Sequence, residues 1–161
     1  MKKVAIIGHG YVGEAVFNFL KDHFELCVVD PKYTDFEEKK KEANEADLAV
    51  ICVPTPEGKD HSVDLSYVKL TLGWLETPLV LIKSTIPPGT TDLLKEMFGK
   101  RIVFSPEYIG EGKYVVQWWA KNYPHPTDMK YHSFQIFGGE KVDCIEVSHF
   151  FQRVLGPEAE M

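Results

Sequence analysis

Residues 4–17 read VAIIGHGYVGEAVF. An apolar run leads straight into Gly8-His9-Gly10-Tyr11-Val12-Gly13, and Val12, Val16, Phe19 and Leu20 then recur at helical spacing. A buried strand, a glycine turn and an amphipathic helix, in that order, open a β-α-β unit. The glycines divide the work. Gly8 permits the tight turn, Gly10 lets a pyrophosphate approach the backbone, and Gly13 lets helix and strand pack closely. Tyr11 and Val12 lie in the first helical turn, whose free amides and positive dipole end suit phosphate.

The second apolar run, ELCVVD, ends in Asp30, near the spacing of about 20 residues at which a carboxylate takes the adenosine ribose hydroxyls. A carboxylate there repels a 2′-phosphate, which favours NAD over NADP. Lys32 follows two residues later and suits either the adenosine phosphates or ribose, or an ordinary surface position. His9 either turns toward the pyrophosphate or is a half-exposed spacer.

Further apolar runs stand at 48–53 (LAVICV), 78–83 (PLVLIK), 101–104 (RIVF) and 134–137 (FQIF). Helical stretches are predicted near 35–46, 64–75, 89–98, 112–121 and 140–155, with Pro88 and Gly89 opening the third and Thr90 or Thr91 capping it. This alternation predicts an α/β fold: a Rossmann-type, doubly wound, mostly parallel sheet of about six strands with helices on both faces. The expected division is a dinucleotide-binding domain over 1–138, then a C-terminal helix and the start of a linker over 139–161. The stretch 122–132, NYPHPTDMKYH, reads as a lid-like loop.

The totals exclude several other classes. With 161 residues one core is expected, and 44% hydrophobic with 26% charged residues is an ordinary globular balance. The net charge is −6, and Lys39, Lys40 and Lys41 are flanked by Glu37, Glu38 and Glu42, so no nucleic-acid surface is expected. No run is long enough to span a bilayer and the N-terminus runs into glycines, which gives no membrane partner and a cytoplasmic expectation. Cys27, Cys52 and Cys144 have no CxxC spacing and the histidines no ligand spacing, so neither disulfides nor a metal site are expected.

In a doubly wound sheet the ligand lies outside the carboxyl ends of the strands. The segments there are Val53-Pro54-Thr55-Pro56, then Ser84 to Thr91 (STIPPGTT), then Ser105 to Gly112 (SPEYIGEG). Each joins stiff prolines to hydroxyls or carboxylates, which suits loops that hold polar groups in place.

GHGYVG, CVPTP, KSTIPPGTT and SPEYIGEG, in this order, resemble the N-terminal NAD-binding domain of the UDP-glucose/GDP-mannose dehydrogenase family. The resemblance covers almost the whole chain. It implies oxidation of a UDP- or GDP-sugar to the uronic acid with NAD, through an aldehyde captured by a cysteine and a thioester that is hydrolysed. It also implies that Val53, Pro54, Thr55, Ser84 and Thr85 line the NAD site, with Thr85 beside the reacting centre. Glu107 would orient or deprotonate a water, and Glu111 would lie near the nicotinamide ribose. The alternative reading is that both acids start the 112–121 helix and favour its N-terminal dipole.

The chain departs from the family pattern in three ways. A strand is missing between Asp30 and Cys52, so the sheet should be shortened, with the 48–53 run beside the first strand. A basic residue is expected where Gly110 stands. The family's capturing cysteine, lysine and asparagine come from a following helical domain, through which the family also dimerises. Cys27 and Cys52 fall in expected strands, and Cys144 shares a helix face with Val147, Phe151 and Val154, so all three read as core residues. Trp118 and Trp119 are candidates for leftover apolar surface, which fits a homodimer or a partner supplying the helical domain. Two other readings use the same glycine loop: a β-hydroxyacid dehydrogenase NAD domain and a non-catalytic NAD-sensing module.

Overall fold

A computed structural model describes residues 1–107, 109, 129–131 and 135–156. Its elements are β1 (Lys3–Ile7), α1 (Tyr11–Leu20), β2 (Glu25–Val29), α2 (Phe36–Ala43), β3 (Leu48–Ile51), α3 (Ser66–Trp74), β4 (Leu79–Ile82), α4 (Thr90–Phe98), β5 (Arg101–Phe104), a 3-10 turn at Met129–Tyr131 and α5 (Lys141–Leu155). The strands form a sheet in the order β2-β1-β3-β4-β5. Every neighbouring pair is parallel, with Val4 opposite both Leu26 and Leu48.

Alternation along the strands builds two cores. Val4 and Ile6 of β1, with Leu48, Val50, Leu79, Leu81 and Val103, meet α1 and α5 on one face. Ala5 and Ile7, with Ala49, Ile51, Val80, Ile82 and Ile102, meet α2, α3 and α4 on the other. β3 does lie beside β1, as the short Asp30–Cys52 connection requires. Helices leave β1 and β3 on opposite faces, so the switch of the winding, where such sheets bind ligands, falls between these two strands.

Among the described residues the sheet has five strands rather than about six. Gln135–Phe137 form no strand, and the return past β5 is one antiparallel bridge in which Phe104 and Gly138 exchange two 2.8 Å hydrogen bonds. The ladder stops there because Gly139 turns away into α5, with no room for a side chain: a Cβ would stand 2.9 Å from the Ile102 carbonyl. The cap of α4 also differs from expectation. Gly89, at φ 84, is the N-cap and no side chain caps the helix; Thr90 is buried and its amide bonds to the Pro87 carbonyl instead.

α5 is part of the first core. Val147, Phe150 and Phe151 are buried, and the Phe151 ring meets Phe19 at 5.3 Å and Phe137 at 5.0 Å. Arg101 of β5 ties the helix down by donating to Asp143 at 2.7 Å and to Glu146 at 2.5 Å. The expected 112–121 helix, Trp118, Trp119, Gly110 and most of the 122–132 loop lie outside the described residues. No described helix is long and apolar enough to cross a membrane.

Candidate functional site

Five parallel strands bring five loops to one edge, and the glycine loop after β1 is at the middle of it. Gly8 has φ 89 and donates its amide to the Val29 carbonyl at 2.8 Å, so the turn is locked to the end of β2. A Cβ on Gly8 would be 2.8 Å from the Cys52 carbonyl, and one on Gly13 only 2.0 Å from the Gly8 carbonyl. Both are therefore packing glycines. Gly10 is different: it is exposed, and a Cβ there would meet nothing within 4 Å. Gly10 is also the N-cap of α1, so the helix begins at an exposed residue with no side chain capping its first amides.

The loop after β2 closes on this turn. Asp30 accepts the His9 amide at 2.6 Å on Oδ2 and the Lys32 amide at 3.0 Å on Oδ1. Burial pushes the Asp30 pKa up, but these two N–H groups, with Lys32 nearby, outweigh it and hold the carboxyl below its usual range. The Lys32 ammonium donates to the His9 carbonyl. The His9 ring does not stand free at the loop. Its Nδ1 pairs with the Tyr33 hydroxyl at 2.7 Å, and its edge meets Phe17 at 5.7 Å.

After β3 and β4 the loops are stapled together. Ser84 is buried and its hydroxyl donates to the Val53 carbonyl at 2.7 Å, which fixes the Val53-Pro54-Thr55 segment against β4. Its hydroxyl proton is thereby committed to the protein. Val53 and Thr55 are half-buried at the edge, and Pro54 and Thr85 are exposed there.

The loop after β5 is held by a residue that the sequence reading passed over. Lys83, last of the PLVLIK run, is 2% exposed; its ammonium forms an ion pair with Glu107 Oε2 at 2.9 Å and donates to Ser105 Oγ at 3.2 Å and to the Pro106 carbonyl at 3.3 Å. Glu107 Oε1 in turn accepts the Ile109 amide at 3.0 Å. The sequence carried part of the signal: a lysine at the end of a buried strand requires a counter-charge, and the loop after β5 holds two acids, Glu107 and Glu111, without saying which one meets it. Glu111 lies outside the described residues.

None of the cysteines sits in a setting that makes a thiolate. Burial pushes the Cys27 thiol up to about 11 and the Cys52 thiol up to about 12, and raises Cys144 as well. Cys52 stands at the loop edge, yet burial outweighs the Lys83 charge that would lower it.

A glycine turn under uncapped helix amides, a carboxylate at the end of β2 and a buried acid at the end of β5 can hold a dinucleotide and serve proton transfer beside it. Residues 20–122 match the UDP-glucose/GDP-mannose dehydrogenase family, NAD binding domain, over well more than half of the chain. The chain belongs to that family. Among the relatives, UDP-glucose 6-dehydrogenase of Streptococcus pneumoniae is 30% identical over 150 residues, covering 69% of this chain and 37% of that protein. UDP-N-acetyl-D-mannosamine dehydrogenase of Methanococcus vannielii is 30% identical over 152 residues, covering 70% of this chain and 36% of that protein. The chain thus spans about a third of the length of these family members. A UDP-glucose dehydrogenase structure from Pyrobaculum islandicum superposes with a TM-score of 0.68 at 21% identity, covering 96% of this chain and 44% of that one. A GDP-mannose dehydrogenase from Pseudomonas aeruginosa gives 0.67 at 19% identity, with 95% and 44% covered. Both show the shared fold.

Proposed function

We propose that this chain is the NAD-binding part of a nucleotide-sugar 6-dehydrogenase that oxidises a UDP- or GDP-sugar to the uronic acid. The observation that carries the reading is the open approach to Gly10 above uncapped α1 amides, in a chain of this family. A pyrophosphate needs that combination: backbone close approach, unpaired N–H groups and the positive end of a helix.

The residues fit the cofactor at both ends. Gly8, Gly10, Tyr11, Val12 and Gly13 would cradle the pyrophosphate, Asp30 would take the ribose diol and Lys32 would lie along the adenosine phosphates. Val53, Pro54, Thr55 and Thr85 would border the nicotinamide half, with Ser84 holding their loops in register. NAD supplies the hydride acceptor when bound. On the protein side, Glu107 would orient or deprotonate a water at the reacting carbon and Thr85 would hydrogen-bond there, while Glu111 would serve the nicotinamide ribose. The burial of the three thiols supports assigning the aldehyde-capturing cysteine to a helical domain or partner outside this sequence, as a homodimer or hetero-complex would provide.

The test is titration of the chain with NADH, followed by NADH formation from NAD with UDP- and GDP-sugars. Binding without sustained turnover is expected, with turnover appearing once the family's helical domain is supplied. Absence of NADH binding would overturn the reading.

A further inference from the structure

His9 is the one residue between Gly8 and Gly10, the two glycines that give the turn its backbone freedom. Yet it is held at three points by three residues of the loop after β2. Its amide donates to Asp30 Oδ2 at 2.6 Å, its carbonyl accepts the Lys32 ammonium, and its Nδ1 pairs with the Tyr33 hydroxyl at 2.7 Å. The Lys32 ammonium also lies 5.1 Å from the centre of the Tyr33 ring, so the same tyrosine steadies the charge that sits on the loop. On its other side the imidazole meets Phe17 of α1 edge-on. His9 is therefore wedged between the helix that would face the phosphates and the loop that would face the ribose.

We propose that Tyr33 is a positioning residue of the dinucleotide site, fixing the Gly8–Gly10 turn through His9 and seating Lys32 over it, so that it sets affinity for the adenosine-diphosphate half of the cofactor. This rests on the NAD-binding reading above. The physical reason is preorganisation: a turn already immobilised loses less conformational entropy when a pyrophosphate settles on its amides. Asp30 and Lys32 stand out from the sequence; Tyr33 enters only through its contact with the His9 ring. Tyr33 is 39% exposed, so its removal leaves both cores intact.

The experiment measures Kd by calorimetry for NADH and for ADP-ribose, which lacks nicotinamide, with wild type, Tyr33→Phe, His9→Leu and the double variant. Melting temperature is followed in parallel. Tyr33→Phe is expected to weaken both ligands about 3- to 10-fold, the size of one hydrogen bond, with the melting temperature held. Because Tyr33 acts through His9, adding Tyr33→Phe to His9→Leu should cost no more than a further twofold or so. The His9 Nδ1 signal in nitrogen NMR should move in Tyr33→Phe. Wild-type affinity in Tyr33→Phe, full additivity in the double variant, or a loss seen with NADH but not with ADP-ribose would each overturn the assignment while leaving NAD binding intact. A wild-type chain that binds neither ligand would overturn the NAD-binding reading and this inference with it.

Discussion

The Lys83 ammonium and the Glu107 carboxylate stand 2.9 Å apart with their side chains 1% and 8% exposed. Ser105 and Pro106 accept hydrogen bonds from the ammonium, so the pair joins the ends of β4 and β5 and sets where the acid lies. Removing one member leaves the other charged and buried, at a cost of about 3–5 kcal/mol, whereas removing both with apolar replacements restores much of the loss. Lys83→Met should therefore lower the urea midpoint strongly, and Lys83→Met with Glu107→Leu should be more stable than Lys83→Met alone. Simple additivity in the cycle would show that the two charges are not coupled.

The glycine loop predicts two different failures from one kind of substitution. Gly10→Val adds a side chain where nothing lies within 4 Å, so the fold should survive while NADH affinity falls below detection. Gly13→Val would press on the Gly8 carbonyl, where even a Cβ comes to 2.0 Å, and should cost about 3 kcal/mol or more before any ligand is added. Thermal melts beside fluorescence titrations separate the two. A Gly10→Val chain that still binds NADH would remove the pyrophosphate from this turn.

Much of this was legible because strand-turn-helix periodicity is local. The apolar runs at 4–7, 25–29, 48–51, 79–82 and 101–104 all became strands, and the short Asp30–Cys52 link already placed β3 beside β1. What escaped depends on partners distant in sequence. The 134–137 run has strand composition, but its described residues 135–137 pair with no strand, and the return past β5 is one bridge at Gly138 before Gly139 turns into α5. Thr90 has cap chemistry, but burial takes it and leaves Gly89 at the cap. Lys83 closes the 78–83 run, and only the fold brings Glu107, 24 positions on, to its ammonium. His9 similarly offered two readings until Tyr33 was found against its ring.

Asp30 carries a pH signature. Burial alone would raise its pKa, but the His9 and Lys32 amides hold it below the unfolded value of about 3.9. Over the acid range the unfolded chain then binds a proton more readily than the folded one. The contribution of Asp30 is complete above about pH 4 and lost as pH falls through the lower, folded value. Asp30→Asn should thus be less stable than wild type by a constant margin at neutral pH, and the margin should shrink toward pH 3. With Asp30 at the ribose, as proposed, the same substitution would remove a charge that repels a 2′-phosphate, so the ratio of NADPH to NADH affinity should rise. A pH-independent margin with an unchanged ratio would place Asp30 outside the ribose site.

The thiols give the last prediction, and it bears on where the covalent chemistry resides. With Cys27 at about 11 and Cys52 at about 12, the thiolate fraction at pH 8 is on the order of one in a thousand or less for each. The folded chain should react slowly with a disulfide reagent at Cys27 and Cys52, and all three cysteines should react promptly once urea exposes them. Cys52→Ala should leave NADH affinity within about twofold, since it is the Cys52 backbone, which alanine keeps, that closes on Gly8. Fast modification of Cys52 in the folded chain, blocked by NADH, would reverse the assignment. It would put a usable nucleophile beside Lys83 and Glu107, where the family's capture step could run without a second domain.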